Sequence, residues 1–234
     1  MSSSDIASRV RAVRRAIERA CARAGRDPSE VTLVAVTKTH PPEVVREAVA
    51  AGLSIFGENR VQEGIRKIGA LRTEFPGLSW RLIGGLQTNK AKSAVRYFEE
   101  IQSVDRISLL EALSREAGSS GRCLPIYVEV NVGGERSKAG VAPEACETLV
   151  RAALGHPELE VRGLMAVPPF AEDPEASRPF FRELRALRDR IQSAAGAAIP
   201  GLSMGMSHDF EAAIEEGATV VRVGTALFGE RGPA

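Results

Sequence analysis

The stretch V-A-V-T-K-T-H-P-P, Val34 to Pro42, ends an apolar β-branched run in a lysine and sets a double proline close behind it. A lysine hidden there can be held neutral, and a desolvated lysine amine of lowered pKa forms imines with carbonyl compounds. The plain alternative for Lys38 is a solvated strand end. A second costly charge lies in T-V-V-R-V-G, Thr219 to Gly224. Alternation puts Val221 and Val223 on one face and Val220, Arg222 and Gly224 on the other, so an inward Arg222 needs an acceptor. That acceptor is either a ligand atom or a buried carboxylate such as Glu129. Anion chemistry is offered by M-G-M-S-H-D, Met204 to Asp209, and by R-V-G-T, Arg222 to Thr225. Ser207 stands at a helix start, Gly224 lets backbone approach a ligand, and the Thr225 hydroxyl can donate to it. Simple tight turns at Gly205 and Gly224 are the competing explanation.

For these groups to meet, the elements between them must bring distant segments to one face. Short β-branched runs alternate with longer amphipathic segments, the pattern of parallel strands joined by crossover helices. The expected strands are Val31–Thr37, Leu53–Gly57, Trp80–Ile83, Glu100–Val104, Pro125–Val132, Val161–Val167, Gly201–Met206 and Thr219–Val223. The expected helices are Pro42–Ala51, Glu58–Glu74, Thr88–Phe98, Arg106–Ala117, Pro143–Leu154, Glu175–Ala195 and Asp209–Glu216. About eight βα units predict an α/β fold, a single (β/α)8 TIM barrel, with an open doubly wound sheet as the rival. Lys38, Asn59, Met165 and Ser207 then fall at carboxyl ends of strands, where barrels do their chemistry, and loops seven and eight are common phosphate sites. The chain reads as one domain over 1–234. An extra helix over 2–26 has Ile6, Val10, Val13 and Ile17 at helical spacing, and Ser2 with Asp5 resembles a capping box.

The 234 residues carry a formal charge of +1, which gives no electrostatic reason for a nucleic acid or an anionic membrane as partner. A bound phosphate must therefore be gripped locally. No apolar run approaches the ~20 residues of a membrane span, and no secretory h-region follows the amino terminus. Cys21, Cys123 and Cys146 have no metal-type spacing and leave an odd thiol, which suits a reducing compartment; we read them as packing residues in a cytoplasmic protein. Ser207-His208-Asp209 reads like a triad in order, but consecutive residues at a helix start point apart. His40 and His156 lack partners at metal-ligand spacing, so no metal is expected. The glycines of G-G-L-Q-T-N-K do not match a P-loop.

An imine-forming lysine and a phosphate grip on one barrel face suit a ligand with both an aldehyde and a phosphate. Pyridoxal 5′-phosphate is the commonest such cofactor. V-A-V-T-K-T-H-P, F-G-E-N-R-V-Q-E, L-I-G-G-L-Q-T-N-K, G-L-M-A-V-P-P, L-S-M-G-M-S and V-R-V-G-T-A-L-F-G-E-R, in order from about Val31 to Arg231, resemble the pyridoxal phosphate homeostasis protein family. The resemblance implies a stand-alone, fold-type-III, alanine-racemase-like barrel with Lys38 as the cofactor lysine. It implies Arg222 beside the pyridine nitrogen, Ser207, Gly224 and Thr225 on the phosphate, and Asn59 and Met165 along the ring. One departure is Gly85, where the family usually carries a larger polar or basic residue.

A guanidinium only donates, so a ring nitrogen beside it stays unprotonated and the ring is a weaker electron sink. Alanine racemases share that arrangement and add a tyrosine from a further domain. The expected function is therefore a carrier that holds pyridoxal phosphate as a reversible lysine imine, buffers or delivers it to apoenzymes that need it, and turns over little or no amino acid. A monomer is expected. Lys90 and Lys138 are candidate second amines for release, or else solvated surface lysines. A racemase or lyase of the alanine racemase type is the main alternative, with His208 or Cys123 as second proton-transfer group. A sugar-phosphate aldolase is another.

Overall fold

The computed structural model describes residues 3–135 and 138–230, so the Ser2 half of the expected capping box lies outside the described residues. Eight parallel strands close into a barrel in sequence order: β1 (Thr32–Val36), β2 (Ile55–Glu58), β3 (Ser79–Leu82), β4 (Glu100–Val104), β5 (Leu124–Glu129), β6 (Leu159–Met165), β7 (Gly201–Met206) and β8 (Val220–Val223). Pairing of β1 with β8 completes the ring, with Val34 opposite Arg222 and Ala35 opposite Val223. The open-sheet alternative is thereby excluded. Helices α1 (Ser3–Ala24), α2 (Pro42–Ala50), α3 (Val61–Leu71), α4 (Ala91–Tyr97), α5 (Ile107–Ser119), α6 (Pro143–Leu154), α7 (Arg178–Ala195), α8 (Phe210–Glu215) and α9 (Thr225–Phe228) surround it.

Helix α1 buries Ile6, Val10, Val13, Ile17 and Cys21 along one stripe, against α2, α8 and α9. Each large aliphatic side chain so buried contributes about 1.5–3 kcal/mol. The helix stops where Gly25 takes a left-handed φ of +65°. Arg23 then ties its end to α8 through Glu211 at 2.9 Å and Glu215 at 2.6 Å.

Where the boundaries differ from the sequence reading, side-chain chemistry explains it. Glu58, read from the sequence as a helix start, instead closes β2 with its carboxylate buried, where Lys67 and the Thr37 hydroxyl both donate to Oε1 while Oε2 has no hydrogen-bond partner. The expected segment Thr88–Phe98 divides into a 3-10 turn over Thr88–Lys90 and α4. Strand β5 ends at Glu129; Val130 makes only an isolated bridge to Val141. Cys21 and Cys146 are packing residues as expected, whereas Cys123 is exposed in the turn before β5. No helix among the described residues is long and apolar enough to cross a membrane.

Inside the barrel, Val34, Tyr127, Met165 and Val220 form an apolar cluster, and Gly201 leaves room for the Tyr127 ring, which a Cβ would meet at 2.7 Å. Polar side chains share that interior: Glu100, Gln102, Ser203 and Arg222 are all buried.

Candidate functional site

A cavity of about 440 Å³ opens at the carboxyl ends of the strands, within the roughly 300–1,000 Å³ usual for small-molecule sites. Lys38, Asn59, Ser207, Arg222, Gly224 and Thr225 all line it, so the fold gathers six of the seven sequence-predicted residues into one place. Met165 is not among the lining residues; it is fully buried in the apolar cluster of the barrel interior, against which the cavity-lining Val167 packs. Val36, Ile83, Val167 and Met206 supply apolar wall. Lys90 and Lys138 are not among the lining residues; the Lys138 amine donates to the Pro168 carbonyl at 3.3 Å and pairs with Glu135.

The turn that presents Lys38 is gripped from beneath. Lys67, on α3 and almost fully buried, donates to the Thr37 carbonyl at 2.5 Å, to Glu58 Oε1 at 2.7 Å and to Glu63 Oε1 at 2.8 Å. The Thr37 hydroxyl donates to the same Glu58 oxygen at 2.6 Å, and the Thr39 N–H donates to Glu63 Oε1 at 2.5 Å. Both neighbours of Lys38 are thus fixed. Thr39 is held at φ +69°, a left-handed conformation that a β-branched residue adopts only under constraint. Burial raises the Glu58 carboxyl despite Lys67 and Thr37, while for Glu63 the Lys67 and Thr39 hydrogen bonds outweigh burial and hold it below its ordinary value.

Arg222 is buried and makes no direct ion pair with Glu129 among the described contacts. Its Nη1 donates to Ser203 Oγ at 2.5 Å and its Nη2 to the Ala166 carbonyl at 2.9 Å. Burial pulls the guanidinium down to about 10, while Glu129 and Asp209 pull the other way, so it stays charged at neutral pH. Glu129 is buried with Oε2 lacking a hydrogen-bond partner; burial and the Asp105 charge push its carboxyl up to about 7, against Arg222.

The two anion loops are stitched together by Ser207, whose Oγ accepts from the Gly224 N–H at 3.1 Å and the Ala226 N–H at 3.2 Å. Gly205 does turn in a left-handed conformation, at φ +90°. Gly224 instead packs closely on β1, where a Cβ would sit 3.3 Å from the Val36 carbonyl oxygen. Asn59 is seated by Gly84, at which any Cβ would come within 2.4 Å of the Asn59 carbonyl oxygen. Gly85 faces open space, so the departure there removes a side chain without disturbing a wall. The apparent triad comes apart: the Asp209 carboxylate accepts from the Met206 N–H at 2.8 Å and His208 Nε2 donates to the Glu172 carbonyl at 2.8 Å, with Ser207 engaged as above.

Sequence reasoning missed Lys67 and Glu63, although the i,i+4 acid–base spacing on α3 was readable beside F-G-E-N-R-V-Q-E. It also missed Gln102 and Ser203. The signal for Gln102 is its recurrence with Glu100 at period two in E-I-Q-S-V, which marks a polar barrel interior, whereas Ser203 is a single polar residue in G-L-S-M-G and shows no period.

The alanine racemase N-terminal domain family model matches residues 9–232. The pyridoxal phosphate homeostasis protein of Aquifex aeolicus (strain VF5) is 49% identical over 215 residues, 92% of this chain and 93% of that protein. The solved structure of PipY from Synechococcus elongatus PCC7942, with PLP bound, has a TM-score of 0.85 at 39% identity, covering 96% of this chain and all of PipY. An alanine racemase from Corynebacterium glutamicum shares the fold alone, with a TM-score of 0.71 at 17% identity, covering 98% of this chain and 61% of the racemase. With a model matched over nearly its whole length and relatives this similar across theirs, the chain belongs to the pyridoxal phosphate homeostasis protein family, within the alanine racemase N-terminal domain group.

Proposed function

We propose that this chain binds pyridoxal 5′-phosphate in the cavity at the carboxyl ends of the strands and serves vitamin B6 homeostasis as a carrier rather than as an enzyme. The observation that carries the reading is the meeting of an amine, a guanidinium and the stitched loop pair Ser207–Gly224 on one apolar-walled cavity. When bound, pyridoxal phosphate supplies an aldehyde that condenses reversibly with a lysine amine. Lys38 provides the amine, and the network of Lys67, Glu58 and Glu63 holds its turn. Arg222 holds the ring nitrogen as a pure donor. Ser207, Gly224 and Thr225 hold the phosphate, and Asn59 the ring. We keep Met165 as a residue that supports the ring indirectly, through Val167, which lines the cavity and packs against the cluster that holds Met165.

The non-catalytic reading is favoured because neither Tyr97 nor Tyr127 lines the cavity: Tyr97 ends α4 outside the barrel, and Tyr127 belongs to the interior cluster. The relatives are named as homeostasis proteins. We further propose a monomeric, single-domain protein in the cytoplasm that passes the cofactor to apoenzymes. His40 and His208 do line the cavity, and they are the observation favouring a racemase or lyase. Substrate-dependent exchange of an amino acid α-proton in deuterated water would establish that alternative.

The test is titration with pyridoxal phosphate, followed by borohydride reduction and peptide mass mapping. A new visible band and a phosphopyridoxyl mass on Lys38, both lost in Lys38→Ala, are expected. Absence of band and label would reject the reading.

A further inference from the structure

The barrel interior contains a one-way chain of hydrogen bonds between its two mouths. At the carboxyl-end cavity, Arg222 Nη1 donates to Ser203 Oγ at 2.5 Å. The Ser203 hydroxyl donates to Gln102 Oε1 at 2.6 Å, and Gln102 Nε2 donates to Glu100 Oε1 at 2.6 Å. Glu100 lines a second cavity of about 400 Å³, at the amino-terminal mouth, where Arg81 Nη1 lies 3.3 Å from the same carboxylate oxygen. All four members of the chain are at most 8% exposed.

The direction of this chain follows from donor and acceptor chemistry. A carboxylate only accepts, so it selects the Gln102 orientation that points the amide nitrogen down and the amide oxygen up. The upward oxygen takes the Ser203 proton, which leaves a Ser203 lone pair toward Arg222. If the amide reverses, its N–H2 meets Ser203, whose proton must then turn toward a guanidinium that only donates. Two donors facing one another in a buried site is costly, so the amide acts as a two-position element whose setting is fixed by the charge at the far mouth.

We propose that Glu100, acting through Gln102 and Ser203, is a positioning residue for Arg222, so that a carboxylate at the amino-terminal mouth sets how the guanidinium is presented in the cofactor cavity. This rests on the proposed function, in that Arg222 is taken to face pyridoxal phosphate. Neither Glu100 nor Gln102 lines that cavity, so direct contact does not account for an effect from them.

The experiment is a double-mutant cycle on Glu100→Gln and Ser203→Ala, read by the absorption maximum and dissociation constant of pyridoxal phosphate and by the thermal midpoint of the ligand-free protein. Glu100→Gln is expected to weaken pyridoxal phosphate about tenfold and to move the band, and to add nothing once Ser203→Ala has cut the chain. The swap Glu100→Gln with Gln102→Glu restores a carboxylate that accepts from Ser203, and is expected to recover the original band. An unchanged band and affinity in Glu100→Gln overturns the proposal, as does a swap no better than Glu100→Gln alone. If the unsubstituted protein takes up no pyridoxal phosphate, the proposed function fails instead. The ligand-free midpoints then decide this inference: coupling between the two sites supports it, and additivity overturns it.

Discussion

Thr39 carries a backbone cost at the residue that follows the candidate lysine, and the Glu63 carboxylate and Lys67 hold it there. Thr39→Gly is therefore expected to raise stability to urea by about 0.5–1 kcal/mol while weakening pyridoxal phosphate, since relief of strain and loss of presentation have one origin. A variant that gains stability with no loss of affinity would separate the two. Glu129 makes a second prediction at this scale. Its carboxyl rises from an ordinary 4.5 to about 7, so its contribution to folding is fully present below pH 4.5 and is lost as pH climbs through 7. Comparing unfolding at pH 4 and pH 8, Glu129→Gln should remove up to about 3 kcal/mol of the decline seen in the parent protein. Equal declines would show that Glu129 titrates normally. Lys38 and Arg222 were legible in the sequence because each put a charge where an apolar run made it expensive. The role of Gln102 was not, since a neutral amide in a strand carries no such alarm.

At the scale of elements, β1, β2 and α3 are locked by one buried ammonium shared between two carboxylates. Lys67→Met should cost about 3–5 kcal/mol in denaturant unfolding, because it leaves Glu58 buried without its counter-charge. Adding Glu58→Gln should recover part of that loss; no recovery would mean that Lys67 matters through the Thr37 carbonyl alone. The same network explains why strand order and helix order could be read from hydrophobic pattern while the end of β2 could not. Pattern reports which residues are apolar, and Glu58 is a charged residue inside the barrel wall for reasons that lie on α3. Helix α9 escaped notice because its four residues are too few to show a helical period.

For the whole molecule, α1 is part of the support of the site, since it packs on α9, which begins at Thr225. Deleting residues 1–24 should abolish cooperative thermal unfolding or lower its midpoint sharply, and speed hydrogen exchange over residues 225–228. A truncated chain with an unchanged midpoint would make α1 a mere appendage. Closure itself was beyond the reach of pattern, because a ring and an open sheet share the same alternation of elements. What closes the ring is register between the first and last strands, with Val34 beside Arg222. That pairing has a consequence for biosynthesis. Lys38 is synthesised well ahead of Arg222, by about ten to forty seconds at about 5–20 residues per second. On the proposed function, a nascent chain that has made Lys38 but not yet β8 thus exposes the amine without the pocket that would shelter an aldehyde on it, and cofactor capture becomes a property of chains in which β8 has closed on β1.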